Sequence, residues 1–382
     1  MSVVRRTRIL IVDDSAVMRS LLRSAVIADP ALEVAGTAAD GQSALGILAS
    51  LRPDLVLLDV EMPVMDGLVT LRQLRARGHS MPVIMCSSLT QRGARVTIEA
   101  LAGGASDYVA KPAGQASRED ALQSLSRELL PRIHALTGAA LEKMSLSAAQ
   151  RLVILPSKLS PLQTSPPQAQ SITSVPAVLV IGVSTGGPAA LDVLLPALPA
   201  AFPLPVLVVQ HMPELFTRML AERLSQRCRL RVREAAEGDM VRPGLVHIAR
   251  GNWHLEALAP ALAGQPPTLH LTQGPLENHC RPAVDVLFRS AAAAYGAGVL
   301  AVVLTGMGSD GLAGCRIVRA HGGAVLAQDR ASSTIWGMPG AVAAAGLAQQ
   351  VLPLTAIAPE ILRLVARARG EIREPRAVVV QP

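Results

Sequence analysis

Short unbroken runs of Val, Ile and Leu recur along this chain, each ending on a polar residue and followed by an amphipathic stretch. ILIVDD, LVLLDV and VIMCSS lie near the start; VLVIGVS, VLVVQHM and VLAVVLTGM lie in the second half. A strand with one wet face alternates apolar and polar residues, whereas a strand apolar at every position is covered on both sides. Such strands alternating with helical segments predict parallel, doubly wound sheets of the α/β class. Only 2% of the 382 residues are aromatic while 50% are hydrophobic. The core therefore has to be built from Ala, Val, Leu and Ile.

The alternation is broken once. Strands are expected at RILIVDD, LEVAGTA, LVLLDV, PVIMCSS and SDYVAKP, with helices near 16–28, 41–51, 67–77 and 93–102. Further on, LPSKLSPLQTSPPQAQSITSVP is rich in Pro, Ser and Gln, which is linker composition. A second series then opens with AVLVIGVS and continues through LPVLVVQHM, LVHIAR, TLHLTQ, GVLAVVLTGM and GAVLAQD. Two doubly wound parallel-sheet domains are expected, 7–136 and 177–370, joined by a linker at 137–176.

The formal net charge of +7 raises the question of nucleic acid. Residues 1–136 carry 15 basic and 14 acidic side chains, and residues 177–370 carry 16 and 12. The excess is thin, and its one short cluster is RCRLRVR at 227–233. With so few aromatics to stack bases, nucleic-acid binding is not expected. Cys86, Cys228, Cys280 and Cys315 lack the spacing of a metal site or disulfide framework, as suits free thiols in a reducing compartment. The N-terminus reaches acidic residues too early for a signal peptide, and no apolar run approaches 18 residues. A cytoplasmic protein, not membrane-inserted, is expected.

In the first domain the polar residues gather where α/β sheets bind ligands, just beyond the carboxyl ends of strands. Asp13 and Asp14 end ILIVDD, Asp59 ends LVLLD, Ser87 follows VIMC, and Lys111 follows the fifth strand. Any one of these aspartates alone would read as a helix cap. Together, three carboxylates at one sheet edge repel unless a hard divalent cation joins them, and oxygen donors of this kind suit Mg²⁺. ILIVDDSAVMR, LVLLDVEMPVMDGL, PVIMCSSLT and SDYVAKP resemble the receiver domain of bacterial response regulators. The resemblance implies a flavodoxin-like fold, Asp59 as phosphoacceptor, and Asp13, Asp14, Asp59 and the Glu61 backbone carbonyl as Mg²⁺ ligands. It also implies Ser87 and Lys111 as the switch pair, and a histidine kinase as phosphodonor.

In the second domain Gly182, Ser184 and Gly186 fit G-x-S-x-G, a short and common motif that exposes a serine at a strand–helix turn. Neither a Lys-Ser/Thr phosphate loop nor G-x-G-x-x-G is present. A nucleophilic serine needs a base and a group that orients the base. His211 ends VLVVQ, and Asp310 lies in the glycine-rich turn after VLAVVLTGM. His247 and His270 fall inside strands and read as structural; His254 and His279 are expected in loops, open to substrate. The order Ser, His, Asp differs from that of α/β-hydrolases, so the motif does not imply that fold.

IGVSTGGPAAL, VVQHMP, PGLVHIARGNWHL, HCRPAVDVLFRSAA, VVLTGMGSDGLAG and GAVLAQDRASSTIWGMPGAV resemble the catalytic domain of the CheB family of chemotaxis methylesterases, a Rossmann-like α/β domain. The resemblance implies Ser184 as nucleophile, His211 as base and Asp310 as its orienting carboxylate. Backbone N–H groups near Ser184 and Met307 are candidates for the oxyanion hole, with Thr185 and Met307 lining the site. It implies hydrolysis of glutamate γ-methyl esters on chemoreceptor cytoplasmic helices, deamidation of glutamines, no cofactor for the ester reaction, and inhibition by the receiver until Asp59 is phosphorylated. Arg250 stands where the family pattern has proline, Val183 where alanine is commoner, and Cys280 lies in the expected substrate-edge loop.

Overall fold

The computed structural model describes residues 5–112, 117–138, 175–260, 262 and 264–368. The expected linker falls almost wholly outside the described residues. The chain divides into two compact units.

In the first unit, β1 (Thr7–Val12), β2 (Leu32–Ala38), β3 (Leu55–Asp59), β4 (Val83–Ser87) and β5 (Asp107–Ala110) form one sheet in the order β2-β1-β3-β4-β5. Every pairing is parallel. Between the strands run α1 (Ala16–Ile27), α2 (Gly41–Leu51), α3 (Gly67–Ala76), α4 (Gln91–Ala102) and then α5 (Arg118–Thr137). The helices start where side-chain oxygens meet unpaired backbone N–H groups: Ser15, Asp40, Asp66, Thr90 and Ser117 each cap one. Ile9, Ile11, Leu57 and Ile84 pack one sheet face against Leu22 of α1 and Leu129 of α5. Their strand neighbours point the other way and are equally buried, as Leu10, Leu58 and Met85 show. This two-sided burial makes the strands continuous apolar runs.

The second unit contains a seven-stranded sheet ordered β14-β13-β12-β6-β7-β9-β8, parallel throughout. Its strands are β6 (Val178–Val183), β7 (Val206–Gln210), β8 (Arg231–Glu234), β9 (Leu245–Ile248), β12 (Val299–Val303), β13 (Ala324–Gln328) and β14 (Gln350–Leu352). The helices are α6 (Gly187–Leu194), α7 (Glu214–Arg227), α8 (Val284–Tyr295), α9 (Leu312–Ala320), α10 (Met338–Ala344) and α11 (Leu354–Ala368). TLHLT does not join this sheet. It is β11 (Thr268–Thr272), paired antiparallel with β10 (His254–Leu258). Val180, Val209, Leu287, Phe288 and Val303 meet in the core between the sheet and α8. β8 lies inside the basic RCRLRVR cluster, which alternates outward arginines with buried Leu230 and Val232 as an edge strand does.

In each sheet the strand order reverses direction at one point, between β1 and β3 in the first and between β6 and β12 in the second. Diverging loops at such a point open a crevice beyond the carboxyl ends of the strands. The polar strand-end residues of both units lie there.

Candidate functional sites

In the first unit Asp13 is fully buried, Asp59 nearly so, and Asp14 is exposed. One carboxylate oxygen from each lies within 4.8 Å of the others. Lys111 Nζ sits 2.8 Å from Asp13 Oδ2 and 2.7 Å from Asp59 Oδ2. Burial pushes the Asp59 carboxyl up to about 6 against the pull of Lys111. Burial works against the Lys111 ammonium, yet Asp13 and Asp59 outweigh it and raise its pKa. Arg19 Nη1 donates to the backbone carbonyls of Asp13 (2.7 Å) and Asp14 (2.9 Å), fixing the turn that carries both acids. Ser87 is buried, and its hydroxyl donates to the Ser88 carbonyl at 3.1 Å. The Glu61 N–H lies 3.4 Å from Asp59 Oδ1, and its side chain pairs with Arg92.

Three hard oxygen donors against one lysine leave this cluster short of positive charge. Asp14 and Glu61 also border an open cleft of about 400 Å³ beside it. The donor set and charge fit a divalent cation of the Mg²⁺ type.

In the second unit Ser184 follows β6 directly and His211 follows β7. Val183 pairs with Gln210 in register, and His211 N donates to the Val183 carbonyl at 3.2 Å, so the two residues leave adjacent strand ends. The turn after Ser184 depends on glycine. Gly186 has φ +80, and a Cβ there would lie 2.3 Å from Thr334 Oγ1. Its neighbour Gly187 opens α6 with no room for a side chain, since a Cβ would lie 1.9 Å from Gln210 Oε1.

Across the direction reversal, the segment after β12 closes on the same spot. Ser184 N donates to the Thr305 carbonyl at 3.0 Å, and a Cβ on Gly306 would lie 2.8 Å from Ser184 Cβ. Met307 is next in line and 38% exposed, whereas Thr185 is buried. Asp310 is nearly buried and faces the histidine: His211 Nε2 is 2.8 Å from Asp310 Oδ2. Nδ1 is the ring nitrogen that this carboxylate does not engage.

Asp310 is held as an anion by a ring of donors. Val284 N–H reaches Oδ2 at 2.7 Å; Asp285 N–H (3.0 Å), Gly311 N–H (3.0 Å) and Asn278 Nδ2 (2.9 Å) reach Oδ1. Burial opposes the charge, but His211 and these N–H groups win and lower its pKa. For His211 burial also opposes the charged form. Asp310, assisted by the Cys280 sulfur against the ring, outweighs it and pushes the imidazole up to about 9. Cys280 thus meets the histidine itself.

The other histidines separate cleanly. His247 is buried in β9 beside Arg233, and burial brings it down to about 4. His270 pairs with Glu237 at 2.9 Å. His254 begins β10 instead of lying in a loop. It is buried, with Nδ1 accepting from Ala283 N–H and Nε2 donating to the Pro275 carbonyl, which makes it a brace for the 275–283 segment. His279 stays exposed. Arg250 pairs with Glu214 and lies over Trp253.

Three buried polar residues were not singled out from the sequence. Gln210 Nε2 donates to the Ser184 carbonyl (3.0 Å) and the His211 carbonyl (3.4 Å), tying the two turns together. Thr305 Oγ1 donates to the Thr185 carbonyl and accepts from Ile335 N–H, while Gln328 Oε1 accepts from Thr305 N–H. The available signal was a polar residue interrupting or ending an apolar strand, as in VLVVQ and AVLAQ.

Residues 179–361 match the CheB methylesterase family, and residues 9–123 match the response regulator receiver domain. The protein-glutamate methylesterase/protein-glutamine glutaminase of Nocardioides sp. is 50% identical, covering 96% of this chain and 97% of its own. Its counterpart from Trichodesmium erythraeum is 47% identical over 94% of this chain and 99% of its own. The crystal structure of the Thermotoga maritima CheB methylesterase catalytic domain is 43% identical, covering 50% of this chain and 100% of that one, with a TM-score of 0.48. Near-full-length identity at this level, together with both domain matches, means that the chain belongs to the CheB methylesterase family and joins a response-regulator receiver to an ester hydrolase.

Proposed function

We propose that the second domain, 177–370, hydrolyses glutamate γ-methyl esters on the cytoplasmic helices of chemoreceptors and deamidates selected glutamines there, with Ser184, His211 and Asp310 as its machinery. The observation that carries this reading is the 2.8 Å contact between His211 and buried Asp310, beside the strand end that bears Ser184. His211 takes the Ser184 proton at Nδ1 while Oγ attacks the ester carbonyl, and the tetrahedral adduct collapses to an acyl-enzyme and methanol. Water, deprotonated by the same imidazole, releases the glutamate carboxylate. Backbone N–H groups near Ser184 and Met307 receive the developing oxyanion, with Thr185 and Met307 lining the site, each donor contributing about 3 kcal/mol. This chemistry needs no cofactor.

The receiver, 7–136, regulates it from across the 137–176 linker. Asp59 attacks the phosphohistidine of a partner kinase and becomes an acyl phosphate. Lys111 and Ser87 then meet the new charge, biasing a two-state surface that releases esterase activity. Asp13, Asp14 and Asp59, with the Glu61 carbonyl, would hold Mg²⁺, which would neutralise charge during phosphoryl transfer. Among the described residues no helix is long and apolar enough to cross a membrane.

The test is methanol release from methylated receptor membranes by wild type and Ser184→Ala, each with and without a small-molecule phosphodonor. Release that requires Ser184 and rises with the donor is the expected result. Release undiminished by Ser184→Ala would overturn the assignment, and release insensitive to the donor would overturn the regulation.

A further inference from the structure

Behind Asp310 lies a second carboxylate that the reaction as written does not use. Asp285, the second residue of α8, is 4% exposed. Its Oδ1 accepts from Gly314 N–H at 2.6 Å and its Oδ2 from Asn278 Nδ2 at 2.9 Å. The same Asn278 nitrogen donates to Asp310 Oδ1 at 2.9 Å. An amide NH₂ carries two protons, so both are committed, one to each carboxylate. Among the described residues no cation lies within ion-pair distance of Asp285.

The loop is shaped to deliver that amide. Asn278 (φ +50) and His279 (φ +62) are consecutive left-handed residues, a conformation that Asn tolerates better than most side chains. On either side, Glu277 and Cys280 exchange backbone hydrogen bonds (3.2 and 2.8 Å), and Arg289 of α8 grips the Glu277 carboxylate at 2.6 and 3.0 Å. A backbone held in this region stores strain, and such strain persists where the surrounding contacts over-determine it.

We propose that Asn278 and Asp285 are positioning residues for ester hydrolysis: the Asn278 amide bridges two buried carboxylates and fixes Asp310 so that its other oxygen faces His211. The proposal rests on the reading of Ser184, His211 and Asp310 given above. Two buried anions repel unless donors stand between them, and an unbridged carboxylate would rotate away from its neighbour. Asp285 also adds negative potential behind Asp310. The ionisable groups that face this cluster are Asp285, the Cys280 thiol against His211, Glu277 with its partner Arg289, and His254.

The test measures kcat and KM against pH for methanol release from methylated receptor membranes, using the full chain. Asn278→Gly removes the amide and suits the left-handed backbone; Asn278→Ser keeps one donor; Asp285→Asn removes the charge. Asn278→Gly is expected to lower kcat roughly ten- to a hundredfold, as loss of a hydrogen bond to a charged group does, with KM little changed. Its acid limb should move to higher pH, because Asp310 is less neutralised and pulls harder on the His211 proton. Asp285→Asn should move the limb to lower pH, and Asn278→Ser should fall between wild type and glycine.

Opposite displacement of the limb is the signature. A purely structural role would lower the unfolding temperature and leave the limb in place in both variants, which would overturn the proposal. Wild-type kcat in Asn278→Gly would overturn it as well. If Asn278→Gly does not fold, Asp285→Asn reads the same coupling from the other side and Asn278→Ser from the same side. Ser184→Ala and His211→Gln, run in parallel, distinguish the two levels: full activity in those removes the underlying reading, whereas their loss alongside an intact Asn278→Gly removes this proposal alone.

Discussion

Replacing Asp310 by Asn conserves shape and removes one charge, and the surroundings allow the amide no comfortable orientation. If its NH₂ takes the Oδ2 position it points at Val284 N–H, 2.7 Å away; at Oδ1 it points at Asp285 N–H, Gly311 N–H and Asn278 Nδ2. Either way a buried donor faces donors, an expected stability loss of about 1–3 kcal/mol. The effect on rate is larger. With the carboxylate accepting from Nε2, the neutral His211 ring carries its proton there and Nδ1 is the nitrogen that can accept. With an amide donor there, Nε2 becomes the acceptor and Nδ1 holds the proton, the wrong tautomer for taking one from Ser184. In serine hydrolases generally that exchange lowers kcat about 10⁴-fold. The ring also loses the charge that lifts it to about 9. Burial is then opposed only by the Cys280 sulfur, and the acid limb of kcat/KM should fall well below about 9, toward the ordinary histidine value of about 6.5. Methanol release across pH 5–10, with urea unfolding as the control for folding, measures all three. Activity within tenfold of wild type, or an unmoved limb, would refute the role of Asp310.

Four further outcomes are expected. In wild type, kcat/KM should climb with pH toward about 9, because His211 must be neutral to act as base; a rate flat from pH 6 to 9 would contradict this. By linkage, the raised His211 contributes stability that is fully present below about pH 6.5, the unfolded value, and is lost as pH rises through the folded value of about 9. Urea titrations of wild type and His211→Gln should converge over that window. Gly186→Ala forces a side chain into left-handed backbone 2.3 Å from Thr334 Oγ1, and should destabilise the esterase transition by roughly 2–5 kcal/mol; a melt like wild type would show that the turn adapts. Chelating divalent cations, or Lys111→Ala, should abolish activation by phosphodonor and leave basal methanol release unchanged, measured with and without EDTA.

Both sheets were readable in the sequence because two-sided burial converts each central strand into an unbroken apolar run. The residue ending the run then marks the crevice: Asp13, Asp59, Ser87, Ser184 and His211 all sit there. Elements relying on one-sided burial were harder to read. β8 was hidden in a basic cluster weighed only for its charge, and β10 in a stretch read as loop, which left His254 with a role open to it that its buried ring does not have. Asn278 and Asp285 gave no signal at all. Their relation to Asp310 arises from loop geometry and from helix α8 meeting the turn after β12, and no local periodicity encodes a contact between segments so far apart.

That separation bears on how the protein is born. His211 and Asp310 stand 99 residues apart in the chain, and β12, which precedes the Asp310 turn, is an interior strand between β6 and β13. A ribosome that has delivered β6 and β7 has made Ser184 and His211 without the carboxylate that meets the histidine. The proposed site is therefore incomplete until the last strands add to the far side of β6, a late, long-range step. The first unit, which carries Asp13, Asp14, Asp59 and Lys111, is complete by then.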